Sequence, residues 1–154
     1  MGDTRIKIAQ DKAELVKALK KSDDTTGPFQ TYVDILVFAA SLGFAMNQRA
    51  PLTEVSKKDP DPIPRDHFTN RDYNQVINLI AIASSQDAKA VAESDERIEN
   101  KIRIFEEYAN AGLEILKSRL AGSVDHTNQL LLLLDPYTGS SKISEDEFDL
   151  TSFL

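Results

Sequence analysis

The chain has 154 residues, 41% hydrophobic and 28% charged, enough for one domain with its own core. It has no cysteine, which excludes a disulfide framework, a thiolate nucleophile and a cysteine-based zinc site. The net charge of −7 is uneven: residues 1–72 carry eleven Lys/Arg and eleven Asp/Glu, residues 73–154 seven and fourteen, so a chain-wide basic footprint for nucleic acid is absent.

The segment MGDTRIKIAQDK has no apolar core of a signal peptide, and Ile6 stands where a myristoylation pattern needs a hydroxyl residue. No apolar run approaches the ~20 residues that cross a bilayer. A cytoplasmic protein without a membrane anchor is expected. Arg5-Ile6-Lys7-Ile8 alternates polar and apolar, which reads as a short strand or extended lead-in with no obvious partner. Asp11 to Lys21 reads as the first helix, with Asp11 as its cap, Glu14 in capping-box register and a buried face of Ala13, Leu15, Val16, Ala18 and Leu19. Lys12, Lys17, Lys20 and Lys21 occupy its other side as a solvated face, and the last of them suit the negative end of the helix dipole.

Val33 to Phe44 is apolar apart from Asp34 and Ser41, so it reads as a helix buried on nearly all sides, capped by Thr31. Ala39, Ala40 and Gly43 are small enough to let a second helix come close. Gly43 costs a helix ~1 kcal/mol relative to Ala, which points to a packing reason or a nearby helix end. Asn47 to Phe68 holds four of the six prolines and reads as a stiff extended loop of zero net charge, with one helical turn at Thr53 to Lys58. Asn70 to Ser85 is the third helix, and Asp87 to Glu93 a short helix or a lead-in to the next.

A new helix starts at Ser94-Asp95-Glu96 and runs to about Ala121. Ile98, Ile102, Phe105, Ala109, Gly112 and Leu116 form a heptad-like seam in it, with a second stripe of Ile104, Tyr108, Ala111 and Ile115. Two stripes call for two neighbours, or for one neighbour and a partner subunit. Gly122 ends the helix. A last helix from Ser123 to Asp135 folds back as a hairpin. The expected fold is mainly α: a compact bundle of about five helices around a buried central helix, in a single helical domain at 5–135. An acidic flexible tail follows at 136–154.

Chemistry-bearing patterns are absent. His67 and His126 have no His or Glu at a metal-binding offset, and the chain has no glycine-rich phosphate loop and no Gly-x-Ser-x-Gly elbow. Asp59-Pro-Asp61 beside Lys57 and Lys58 lies in a proline loop rather than on paired strands, unlike a nuclease centre. Glu106-Glu107 lacks the Glu-x-x-His repeats of a di-iron bundle. No catalytic residue, metal ligand or cofactor is expected, and the protein reads as a non-enzyme.

Three segments, RIKIAQDKAELVKAL, GPFQTYVDILVFAASLGFAMNQRAPL and RIFEEYANAGLEILKSRLAGSVDH, taken in this order, resemble the DNA phosphorothioation (dnd) system-associated protein 4 family. The resemblance runs from about Arg5 to Leu134. The family usually carries Gly-Gly where this chain has Ala111-Gly112, a mild change. The resemblance implies a prokaryotic protein that works with the sulfur modification of DNA, or with restriction and phage defence linked to it. It supplies no catalytic residues.

Two readings follow. In the first the chain is an accessory subunit that binds larger proteins of such a system, with tail residues Phe148, Leu150, Phe153 and Leu154 as a docking segment. In the second it is a DNA-binding module contacting phosphates through Lys12, Lys17, Lys20, Lys21, Arg49, Lys57, Lys58 and Arg71. The surplus of apolar helix faces further suggests a homodimer or a hetero-complex.

Overall fold

The computed structural model describes residues 4–22, 27–86 and 94–121. Its elements in chain order are β1 (Arg5–Ile6), a 3-10 turn (Gln10–Lys12), α1 (Ala13–Leu19), α2 (Tyr32–Ala45), β2 (Ile63–Pro64), α3 (Arg65–Thr69), α4 (Asn74–Ser85) and α5 (Asp95–Leu120). The expected mainly helical fold is the observed one. The expected last helix and the tail lie outside the described residues, as do Asp87 to Glu93.

The core is built on α2 and α5, which make the largest helix–helix contact in the molecule. Thr31 caps α2 as expected: its hydroxyl accepts the backbone N–H of Asp34 at 3.1 Å. Ser94 likewise caps α5, accepting from the Arg97 N–H at 3.3 Å. The small residues explain how the two helices meet. A Cβ placed on Gly112 would lie 1.7 Å from the Ala39 carbonyl oxygen, and one on Gly43 would lie 2.2 Å from that of Tyr108. The backbones therefore touch, and the crossed pairing of 39 with 112 and 43 with 108 makes the helices antiparallel.

Both expected stripes of α5 turn inward. Ile98, Ile102, Phe105, Ala109 and Leu116 are buried, and so are Ile104, Tyr108 and Ala111. Phe105 meets the fully buried Phe68 of α3 edge-on, with ring centroids 5.6 Å apart. The burial of α5 goes beyond those stripes, because Lys101, Glu106 and Asn110 are also enclosed. The expected central helix α2 is thus buried together with α5, its partner along the core.

Three local expectations are corrected. Asp11 does not cap α1. The helix opens as a 3-10 turn with Lys12 at the cap position and no side-chain cap bond, because Lys12 is drawn down onto α5. The helix also stops at Leu19 rather than Lys21. Lys20 is extended and pairs with Phe29, whose N–H donates to the Leu19 carbonyl while Lys21 N–H donates to its own. The third helix does not begin at Asn70. Asp72, at φ 63°, separates α3 from α4 in a left-handed turn that non-glycine residues rarely adopt.

The lead-in strand has a partner after all. Arg5 and Ile6 pair antiparallel with Pro64 and Ile63, from the far end of the proline-rich loop. Farther along, Ser56 N–H donates to Ile8 O (2.7 Å), Gln10 N–H donates to Glu54 O (2.9 Å), and Ala9 bridges Val55. The N-terminal segment therefore closes both ends of the loop in extended pairing, which is why Thr53 to Lys58 forms no helical turn.

Candidate interaction surface

Residues 57–62 form the tip of the loop, between its two paired stretches, with Pro60 buried beneath it. The tip is fastened from below. Ser56 is fully buried, and its hydroxyl donates to the carbonyl of Pro60 at 2.7 Å. The Tyr32 hydroxyl, on the first turn of α2, donates to Asp59 at 2.7 Å. Partial burial, this hydrogen bond and the charges of Asp59 and Asp61 push the Tyr32 phenol up to about 12, so it remains a neutral donor across the physiological range. Lys20 stands 4.6 Å above the Tyr32 ring.

A matching unit holds the α3–α4 turn. The Tyr73 hydroxyl donates to Asp34 at 2.8 Å, the Arg71 guanidinium reaches both Asp34 oxygens at 3.1 Å, and the Thr31 hydroxyl donates at 2.9 Å. Burial alone would raise the Asp34 carboxyl. The hydrogen bonds from Tyr73 and Thr31 and the charge of Arg71 outweigh it and hold the group below its usual value. The same bond from the other side, with burial and the Asp34 charge, raises the Tyr73 phenol.

The surroundings of the eight cations grouped in the sequence as phosphate contacts differ. Lys12 is only 3% exposed. Its ammonium lies 3.0 Å from Glu114, 3.0 Å from Asp11 and 3.2 Å from the side-chain oxygen of Asn110, which corrects the expected solvated face. Arg49 pairs with Glu107 at 2.6 Å and lies over the Tyr108 ring. Arg71 pairs with Asp34, and Lys17 pairs with Glu14 at 3.0 Å. Lys20 is taken up by the Tyr32 ring. Lys21, Lys57 and Lys58 remain exposed, with no ion pair among the described residues.

Lys57 and Lys58 also line an open concavity of about 530 Å³, together with Gln10, Glu54 and Val55. Sequence reasoning singled out the two lysines but missed the concavity, which exists only because residues 8–10 lie against residues 54–56. It also passed over a signal that was in plain view: α4, NQVINLIAIASS, has no charged residue. Leu79 on its outer side is 65% exposed, and Phe44 at the end of α2 is 38% exposed. The tail residues Phe148, Leu150, Phe153 and Leu154 lie outside the described residues.

Among the described residues, no three or more His, Cys, Asp or Glu side chains gather in a way that could hold a metal ion. No described helix is long and apolar enough to cross a membrane. Glu106 is the one buried carboxylate among the described residues. It accepts the Lys7 backbone N–H at 2.6 Å. Burial raises its carboxyl above the usual value against the pull of Lys7, and the charge of Glu107 adds to the rise. It faces the N-terminal segment.

No curated protein and no solved structure matches the chain. The model of one family, described as DNA sulphur modification system-associated protein 4, matches residues 5–153. The match passes beyond Leu134, where the resemblance in sequence had been drawn, and takes in nearly all of the tail. Because it covers almost the whole chain, the chain belongs to the DNA sulphur modification system-associated protein 4 family.

Proposed function

We propose that the chain is a non-catalytic accessory subunit that binds larger proteins of a DNA phosphorothioation-linked restriction or phage-defence system in the cytoplasm. Family membership supplies the association with a DNA sulphur modification system. The observation that carries the accessory role is the pairing of four of the eight cations with carboxylates of the chain. Lys12, Lys17, Arg49 and Arg71 pair with Glu114, Glu14, Glu107 and Asp34, which favours a partner other than a phosphate backbone. The uncharged outer side of α4, with Leu79 exposed, suits a protein partner, since interface cores are depleted in charge. The tail residues Phe148, Leu150, Phe153 and Leu154 supply a second docking element.

The test is capture from the native host with tagged full-length protein, with and without nuclease treatment of the lysate. The reading predicts that proteins of the sulfur-modification system stay bound after nuclease. If their recovery is lost on nuclease treatment, nucleic acid is the bridge.

A second reading is favoured by one observation, the exposed lysines Lys21, Lys57 and Lys58, which make no ion pair among the described residues. As a DNA contact they would give a salt dependence of about −0.9 in log–log slope per neutralised phosphate. A shallow slope, set by two or three contacts, separates this reading from the full eight-cation surface.

A further inference from the structure

Helix α4 turns Ile77, Ile80 and Ala81 into the core and leaves Gln75, Leu79 and Ala83 exposed, with Val76 and Ile82 half-buried on the two flanks. Leu79 is 65% exposed. Phe44 adds to this surface at the last turn of the helix. Its ring meets that of Tyr108 at 5.5 Å, and the Tyr108 hydroxyl donates to Ser84 at 3.4 Å. No residue of α4 is charged. A partner that laid a charge on this face would bury it without a counter-ion, which is costly. A face as neutral as α4 itself carries no such penalty.

The face is laid out evenly about Leu79. That residue stands at the middle of the 12-residue helix. Three positions to either side are Val76 and Ile82, and four to either side are Gln75 and Ala83. Seven to either side, just beyond the helix ends, are the exposed Asp72 and Gln86. A two-fold axis through Leu79 therefore sets Val76 against Ile82, and Gln75 against the small Ala83, each twice. It also sets Asp72 against Gln86, a carboxylate against an amide able to donate to it. A parallel pairing would instead bring two Asp72 carboxylates together and align the helix dipoles. The face is complementary to itself in the antiparallel orientation.

We propose that α4 is a homodimer interface, in which the face of Gln75, Val76, Leu79, Ile82 and Ala83 packs antiparallel on the same face of a second copy. Leu79 lies on the two-fold axis. The inference rests on the reading of α4 as a protein-binding face and names its occupant. One short helix per copy makes an interface of the small class, below about 1,200 Å², which associates reversibly.

Purified full-length protein tests it, so a failed capture from the host leaves it standing, and a failure here leaves the capture standing. Sedimentation over a concentration series is expected to show a monomer–dimer equilibrium. Leu79→Glu puts two carboxylates on the axis and should weaken association about tenfold or more, as should Leu79→Lys. An equal mixture of the two variants should regain the dimer, because the axis then holds one charge of each sign. Leu79 is exposed, so both variants should keep the native circular dichroism and melting temperature. Orientation is read by thiol cross-linking, which the absence of cysteine makes site-specific. Gln75→Cys mixed with Ala83→Cys should give the crossed product with a short bis-maleimide, while neither links to itself. A chain that stays monomeric up to its solubility limit overturns the proposal. So does a dimer that both charge variants leave intact, or one in which Gln75→Cys links to itself. A Leu79→Cys thiol shielded from reagent in the monomer assigns the face to another segment of the same chain and overturns it too. A host protein captured through Leu79 by a chain that is monomeric alone assigns the face to that protein instead.

Discussion

The two sides of α5 are both packed against other parts of the chain, yet they are built on opposite chemistry. Toward α2 the helix presents Ala109, Gly112 and the backbone of Tyr108, and contact is made by bringing main chains together. Toward the N-terminal segment it presents Glu106, Asn110 and Glu114, and contact is made by hydrogen bonds. Glu106 accepts from Lys7 N–H. Asn110 accepts from Lys12 and donates to the carbonyls of Ala50 (3.1 Å) and Pro51 (3.3 Å), and Glu114 pairs with Lys12. The first side is intolerant of added volume, and the second of lost partners. One helix thus joins α2 by shape and an irregular extended segment, with its own backbone groups to satisfy, by polar side chains.

The sharpest way to break the first side is Gly112→Ala. Helix propensity favours Ala by ~1 kcal/mol, so propensity alone predicts a stabler protein. The new methyl would sit 1.7 Å from the Ala39 carbonyl, which is backbone and cannot rotate away. The helices must separate, and the expected net loss is about 3 kcal/mol or more, read from urea unfolding. Gly43→Ala, at 2.2 Å from the Tyr108 carbonyl, should lose less. A Gly112→Ala protein as stable as the native one would show that the two helices are not in backbone contact.

On the second side, Asn110→Leu preserves volume and removes the hydrogen bonds. It strands the carbonyls of Ala50 and Pro51 and takes one partner from the buried Lys12 ammonium. The expected cost is about 2 kcal/mol, in the range for buried polar groups left unsatisfied. Lys12→Met alone should cost less, because Asn110 keeps its bonds to the loop carbonyls. The double variant should fall short of the sum of the two, by the coupling between residues 12 and 110. Strict additivity would mean that the 3.2 Å contact between them carries no energy.

This contrast also explains what the sequence revealed. The α2 side was legible because it depends on residue type alone: Gly43, Ala39 and Gly112 announce close approach wherever they point inward. The caps at Thr31 and Ser94 were legible for the same reason, since each acts on the next turn of its own helix. The polar side was not, because Glu106, Asn110 and Glu114 at helical spacing read as a solvated stripe. The burial of Glu106 and Asn110 is decided by residues 7–12, nearly a hundred positions away in sequence. The partner of β1 was hidden in the same way, in a stretch whose prolines argue against a strand until Pro64 is seen at a strand end. At the candidate surface, residue type was enough to mark Lys57 and Lys58. Knowing that Lys12, Arg49 and Arg71 are neutralised required the fold.

The smallest expected effect is also the most specific to the polar side. The Glu106 carboxyl is raised above its ordinary value by burial, so the fold prefers its protonated form more than the unfolded chain does. Its contribution to stability is therefore full below the unfolded pKa, about 4.5, and is lost as pH rises through the higher folded value. Glu106→Gln keeps a side-chain oxygen for the Lys7 N–H and carries no charge. The variant should match the native protein at low pH and become the more stable of the two as pH rises to neutrality, in paired melting curves taken across that range. If the native protein is instead the more stable at neutral pH, the ionised carboxylate is earning more from the Lys7 N–H than it loses to burial, and the polar side of α5 is held by charge rather than by neutral hydrogen bonds.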